Sequence, residues 1–278
     1  MENLHKPIIV PWDFTHVAEN AFAHAVNICR SLNREMILLH IVENPHAMQP
    51  SLEKLSHKAG ELSREVHLKI HPIVESGNIF DTIRETAQNY KAEMVVMGTH
   101  GRKGMQKLFG SWALKVMANS RVPFLVVQKK PEKDSFEKIV LPIDFRSSNK
   151  EKVKWIHYLS GHYKSTFLIL KRKASDRGFK RKIASNLHYA ESYLKNNDVS
   201  HEIHTSKGKK GFEKETVEFA TEQNADLILV MVTRDIGFFD YLLSAREQYI
   251  ISNPGMIPVL CANPKPARIT AGFSATGG

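Results

Sequence analysis

Cysteine is nearly absent: two residues, Cys29 and Cys261, in a chain of 278. Two thiols cannot build a disulfide framework, and no paired-cysteine spacing offers a structural metal site. Each sits in an apolar segment, so both are expected to be buried free thiols. Long hydrophobic runs are missing too, and nothing approaches the roughly 18–20 apolar residues a membrane helix requires. The opening "MENLHKPIIVPWDF" lacks the basic-then-apolar layout of a secretory leader, so the expected compartment is the cytoplasm. Several catalytic signatures are also absent. There is no Gly-x4-Gly-Lys-Ser/Thr phosphate loop, no Gly-x-Gly-x-x-Gly after the first strand, and no Gly-x-Ser-x-Gly elbow. Fourteen histidines are present. His67 and His71 read as one side of a strand and His201 and His204 as opposite sides of another, with no helical ligand pair beside an acid, so a metal site is not expected.

What is present is a repeat. "KPIIVPWDFT" from Lys6 returns as "EKIVLPIDFR" from Glu137, "AEMVVMGTH" from Ala92 as "ADLILVMVTR" from Ala225, and "RVPFLVVQ" from Arg121 as "MIPVLCAN" from Met256. Three matches in the same order at nearly constant offset imply two copies of one module. The expected modules are residues 1–130 and 136–265, with the charged, proline-bearing seam "KKPEKDSFE" between them and a tail of small and polar residues at 266–278.

Within the first copy, short apolar runs alternate with helical patterns. "PIIVP", "EMILLHIV", "HLKIHPIVES", "EMVVMG" and "PFLVVQ" read as strands. "HVAENAFAHAVNICRSL", "PSLEKLSHKAGELSREV", "NIFDTIRETAQNYK" and "SWALKVMAN" read as helices. Continuous apolar strands between helices mean a parallel sheet covered on both faces. The expected fold is α/β: two tandem doubly wound modules, each a five-stranded, mainly parallel sheet.

In such a sheet ligands lie beyond the carboxyl ends of the strands. Asp13 closes the first strand. Gly98, Gly101, Gly104 and Gly110 crowd the segment after the fourth, with Ser111 opening a helix. Glycines let backbone amides approach an anion closely, a helix N-terminus adds free N–H groups, and Arg102 and Lys103 add charge. The alternative is structural. Ser111 is also an ordinary N-cap, Gly98 a strand end, and Asp13 a helix-stabilising carboxylate.

Gly98-x2-Gly101 followed by Gly110-Ser111, together with "IIVPWDF" and "VPFLVV", resembles the universal stress protein family in its tandem form. The resemblance covers essentially the whole chain, strongly in the first copy and weakly in the second. The family signature is Gly-x2-Gly-x9-Gly-Ser/Thr; here eight residues separate Gly101 from Gly110, one fewer. The resemblance implies an ATP site in the first copy. Pro11 and Asp13 would flank adenine and ribose, and Val42 would pack on the base. Gly98, His100, Gly101, Gly110, Ser111 and Trp112 would line the phosphates. ATP, with or without Mg, is the implied cofactor. It further implies a stress-response protein that acts by binding rather than as an enzyme, slow hydrolysis being left open, and pairing of the two modules through their final strands, "PFLVVQ" against "IPVLCA". A further homo-oligomer such as a dimer, and a protein partner, are left open. The alternative function is a protein-interaction module that binds no nucleotide.

In the second copy the glycine segment reads "MVTRDIGFFDYLLSAREQYI". An ungapped count sets Val232 at Gly98, Asp235 at Gly101, Ser244 at Gly110 and Ala245 at Ser111, so a triphosphate site is not expected there. The formal charge of +10 gathers in "KRKASDRGFKRK" and "TSKGKKG" in the second half. These runs show no regular aromatic interleaving, so they read as solvated helix ends and loops, and nucleic acid is disfavoured as a partner.

Overall fold

The computed structural model describes residues 5–99, Met117, 120–232 and 247–263. The predicted helix from Ser111 and the segments around it, apart from Met117, lie outside these residues, as do 233–246 and the tail.

The first half runs β1 (Ile8–Pro11), α1 (His16–Leu32), β2 (Met36–Val42), α2 (Met48–Val66), β3 (Ile70–Ser76), α3 (Ile79–Asn89), β4 (Met94–Gly98) and β5 (Phe124–Val127). The second runs β6 (Lys138–Ile143), α4 (Lys152–His162), β7 (Thr166–Lys171), α5 (Arg177–Asn196), β8 (His201–Thr205), α6 (Phe212–Glu222), β9 (Leu227–Met231) and β10 (Val259–Ala262). The strands form one ten-stranded sheet in the order β3-β2-β1-β4-β5-β10-β9-β6-β7-β8. Every neighbour pair is parallel except the central one, where β10 runs antiparallel to β5 with Leu260 opposite Leu125. The two closing strands thus cover each other's edges, which would otherwise be open templates for aggregation.

Strand pleating assigns the core. Ile8 and Val10 join one apolar cluster with side chains of α1 and α2, whereas Ile9 joins the other with Ile83 and Ala87 of α3. Both clusters continue into the second half, where Trp155 of α4 lies on the first face and Val217 of α6 on the second. Period-2 alternation in strands buried on both sides is what a doubly wound sheet requires.

α1 shows how local sequence sets its bounds. Thr15 is its N-cap, accepting from the Ala18 amide at 3.5 Å, and Asn33 ends it in the left-handed region, φ 51°, with its N–H donating to the Cys29 carbonyl. Asparagine tolerates that conformation better than most residues. α2 ends differently from expectation. His67, read above as strand, is its C-cap at φ 53°, and β3 begins only at Ile70. His71 pairs instead with Glu35, Nε2 to Oε2 2.7 Å. Cys29 and Cys261 are both free and buried. Burial pushes the Cys29 thiol up to about 12.

The seam is tied down rather than loose. His24 of α1 meets the Lys129 carbonyl at 3.1 Å, and Asp226 accepts the amides of Glu137 and Lys138 at 3.0 and 2.9 Å. His24 is buried, which holds its pKa down at about 4; the Lys129 carbonyl opposes that shift and the Lys129 charge adds to it.

Candidate functional site

β1 and β4 are neighbours in the sheet, and the crossovers leave them in opposite directions. This is the switch point of a doubly wound sheet, where a crevice opens outside the strand ends. A cleft of about 120 Å³ lies there. Its polar rim is Asp13 and His40; Pro11 and Gly98 stand at the strand ends, and Ile41, Ile79, Ile83 and Met97 supply apolar wall.

The rim is locally prepared. The Trp12 amide donates to the Leu39 carbonyl at 2.8 Å, extending β1 toward β2, and His40 Nδ1 meets the Trp12 carbonyl at 2.7 Å. Trp12 is buried against Phe22, ring centroids 6.1 Å apart. Phe14 then turns the chain at φ 63°, a conformation costly for an aromatic residue, with Lys54 Nζ 4.0 Å from its ring centroid. Asp13 is left exposed, and one oxygen, Oδ1, accepts from the Thr15 amide at 3.1 Å and the Thr15 hydroxyl at 2.6 Å. The carboxylate therefore supports the helix start, and Oδ2 accepts no hydrogen bond from the described residues. A carboxylate at the mouth of an apolar cleft suits a polyhydroxy group attached to a flat apolar one.

The structure brings Pro11, Asp13 and Gly98 together at this cleft. It does not bring Val42. That side chain is buried in the core on the α1–α2 face, and Ile41, one pleat away, lines the cleft instead. The correction follows from strand alternation, in which consecutive residues face opposite sides. His100, Gly101, Gly110, Ser111 and Trp112 lie outside the described residues. Gly98 also has a reason of its own. A Cβ there would stand 2.2 Å from the Val17 carbonyl oxygen and 2.6 Å from its Cγ1, so glycine is what lets α1 close onto β4. Sequence reasoning missed His40, which sits inside an apolar strand run, and Ile79, Ile83 and Met97, whose apolar character marks core as readily as cleft.

The corresponding place in the second half is built differently. Hydrogen-bond register sets Ile8 against Met94 in one half and Ile139 against Leu227 in the other, which makes Met231 the counterpart of Gly98. Val232 corresponds to Thr99: their amides donate to the Val127 and Ala262 carbonyls, at 2.9 and 2.8 Å. The ungapped count above is therefore one residue out. Asp235 does not stand opposite Gly101. The physical obstruction lies elsewhere. Asp144, the counterpart of Asp13, is buried. It accepts from Arg146 Nε at 2.8 Å and Asn149 Nδ2 at 2.6 Å, and Arg146 Nη1 donates to Glu247 at 3.0 Å. Burial alone would lower the Arg146 pKa, but the charges of Asp144 and Glu247 raise it. Lys152 is buried beside them, donates to the Pro142 carbonyl, and has its pKa lowered to about 7, chiefly by burial. A cavity of about 30 Å³ is what remains. Asp144 thus belongs to an ion network that lines its own narrow cleft.

Among the described residues no group of three histidine, cysteine or acidic side chains converges as a metal cage would, and no helix is long and apolar enough to cross a membrane.

The architecture is that of a doubly wound α/β protein with an open crevice at the strand ends of its first half. The chain belongs to the universal stress protein family. The model of the universal stress protein family matches residues 5–128. Universal stress protein MJ0531 of Methanocaldococcus jannaschii is 34% identical over 149 residues, 48% of this chain and 87% of that protein. MJ0577 of the same organism is 24% identical over 160 residues, 47% of this chain and 99% of that protein. Among solved structures, a universal stress protein from Archaeoglobus fulgidus superposes with a TM-score of 0.73 at 15% identity, covering 92% of this chain and 96% of its own. That last likeness speaks to the fold alone, and it spans both halves.

Proposed function

We propose that this chain is an ATP-binding universal stress protein with a single nucleotide site, in the cleft of the first half. The observation that carries the reading is the contrast between two equivalent carboxylates: Asp13 exposed at an open cleft, Asp144 buried in an ion network. In this reading Asp13 accepts ribose hydroxyls, and the base lies against Ile41, Ile79 and Met97. The phosphates run toward the glycine-rich segment from His100 to Trp112, with Mg, where present, bound through the phosphates rather than by a protein cage. ATP occupancy acts by changing what the protein binds. Catalysis is not its role, and any hydrolysis is slow. The cytoplasm is the proposed compartment.

The test is equilibrium binding of labelled ATP to the wild type and to Asp13→Asn, which keeps an oxygen to accept from Thr15 while removing the charge. A loss of about tenfold or more is expected, the scale of a charge-assisted hydrogen bond. Equal affinity in the two proteins places the nucleotide elsewhere.

One observation favours the second reading, an interaction module without nucleotide. Gly98 is fully explained by its packing on Val17. No thermal shift on adding ATP, and no nucleotide in natively purified protein, would support it.

A further inference from the structure

The chain's positive charge is concentrated where the fold makes it a surface. Residues 171–182 hold seven lysines and arginines against one acid, Asp176, and residues 207–214 hold four lysines against Glu213. The fold joins the two runs. They follow β7 and β8, which are neighbouring parallel strands with Lys171 opposite Thr205. The Lys173 amide donates to Ser206 Oγ at 3.0 Å, and the Lys173 side chain lies over Gly208, where a Cβ would meet it at 3.1 Å. Gly208 adopts φ +72°, and this bend directs three amides, of Gly208, Lys209 and Lys210, onto the Glu215 carboxylate at 2.7–3.0 Å. The buried acid holds the loop, and the lysines point away from it: Lys207, Lys209 and Lys210 are exposed.

The other acids nearby are committed. Asp176 caps α5 by accepting the Phe179 amide at 2.8 Å, Glu218 pairs with Lys210, and Glu222 stands 3.9 Å from Lys207. Lys173, Arg177, Lys180, Arg181, Lys182, Lys209 and Lys214 are exposed and have no ion pair among the described residues.

Each basic run carries one aromatic residue, Phe179 in the first and Phe212 in the second, and the fold brings a third, Phe145, against them. Phe145, just after β6, stacks on Phe179 of α5, centroids 4.4 Å apart at 22°. The Arg172 guanidinium lies 5.3 Å from the Phe145 ring and 5.8 Å from that of Phe212. Phe179 is the outer member of the stack and is 42% exposed, among the few large apolar side chains so placed. An exposed ring stacked on one that a guanidinium also approaches, among exposed lysines without ion pairs, is a composition that binds a backbone of phosphates by charge and its bases by stacking. A double helix presents no free base face to such a ring.

We propose that the outer surface of the second half, around Phe179 and the loops after β7 and β8, binds single-stranded nucleic acid. The site is separate from the nucleotide cleft and does not depend on it. Nucleic acid was disfavoured for want of interleaved aromatics, but Phe179 lies within the first basic run and its stacking partner Phe145 joins it through the fold.

The test is fluorescence anisotropy of the full chain with labelled oligouridylate, oligothymidylate and a duplex of equal length, across a salt series. Single strands should bind, RNA or DNA, and more tightly than the duplex. The slope of log K on log salt should be about −0.7 per phosphate neutralised, and Lys180→Gln with Arg181→Gln and Lys182→Gln should make it shallower by about two. Phe179→Ala should weaken binding about tenfold, the scale of one base–ring stack, while Phe179→Trp retains it. Both variants alter only exposed positions, so an unchanged thermal midpoint is expected. Equal binding of duplex and single strand, or unchanged binding by Phe179→Ala, overturns the proposal, since charge alone would then explain the result. Binding to phosphatidylserine vesicles without binding to either oligonucleotide overturns it too.

Discussion

The two halves share their strands and differ at the strand ends. Pro11 ends β1 and Pro142 is the penultimate residue of β6, and Asp13 and Asp144 each follow two residues later. In the first half glycine at position 98 lets α1, which begins at His16, close onto β4. In the second half Met231 occupies that point, and the chain responds with a 3-10 turn at Ser147–Glu151 before α4 begins at Lys152. A side chain at the strand end thus coincides with a displaced helix start, and the space between is filled by Arg146, Asn149 and Lys152. Duplication preserved the apolar strands because both copies bury them on two faces. It left the strand ends to diverge, one into an open cleft and the other into a self-satisfied ion cluster beneath a basic surface.

The largest effect should come from erasing the difference at the strand end. Gly98→Ala forces a Cβ against the Val17 backbone, and a loss of about 3 kcal/mol is expected in urea unfolding. Met231→Ala should cost a comparable amount for the opposite reason, a cavity rather than a clash. Only the first should be rescued by nothing at Val17 short of backbone movement. A Gly98→Ala protein within about 1 kcal/mol of wild type would show that α1 does not need that approach.

Next is the ion network. Arg146→Met leaves Asp144 and Glu247 partly buried without their cation, and a loss of about 3 kcal/mol is expected. Asp13→Asn, at the equivalent exposed carboxylate, should change stability by less than about 1 kcal/mol. Similar losses in the two would mean that the carboxylates do not differ in burial as described.

The smallest effect sharpens the comparison by pH. His24 and Trp155 stand at the same distance from the prolines of their first strands, Pro11 and Pro142, one under the seam and the other in the core. The folded pKa of His24, about 4, lies below the unfolded value of 6.5, so its contribution is full above pH 6.5 and is lost as the pH falls through 4. Across that window stability should fall by about 2 kcal/mol in wild type and by less in His24→Gln, measured by thermal midpoints at each pH. Parallel curves for the two proteins would place the pH sensitivity in other groups.

Much of the fold was legible because strands buried on both faces read as unbroken apolar runs. The helical stretch from His16 to Leu32 was read with the bounds the structure gives it, since a threonine cap and an asparagine stop flank a regular apolar spacing. His67 was misread because its left-handed C-cap carries no glycine to announce it. Of the site, Pro11, Asp13 and Gly98 were visible from motif. Val42 was chosen in place of Ile41 because a continuous apolar run hides the phase of the pleat. The one-residue slip at Val232 arose from matching methionine to methionine, which only the hydrogen-bond register corrects. The Phe145–Phe179 stack was invisible for another reason: its two rings lie on separate elements and meet only when the sheet forms.

The most direct test of a single open cleft is the number of ATP molecules held per chain at saturation, read by native mass spectrometry. One bound ATP is expected in the wild type, and at a concentration that just saturates it Asp13→Asn should be no more than about half occupied. Two bound per chain, or one that persists undiminished in Asp13→Asn, would contradict it.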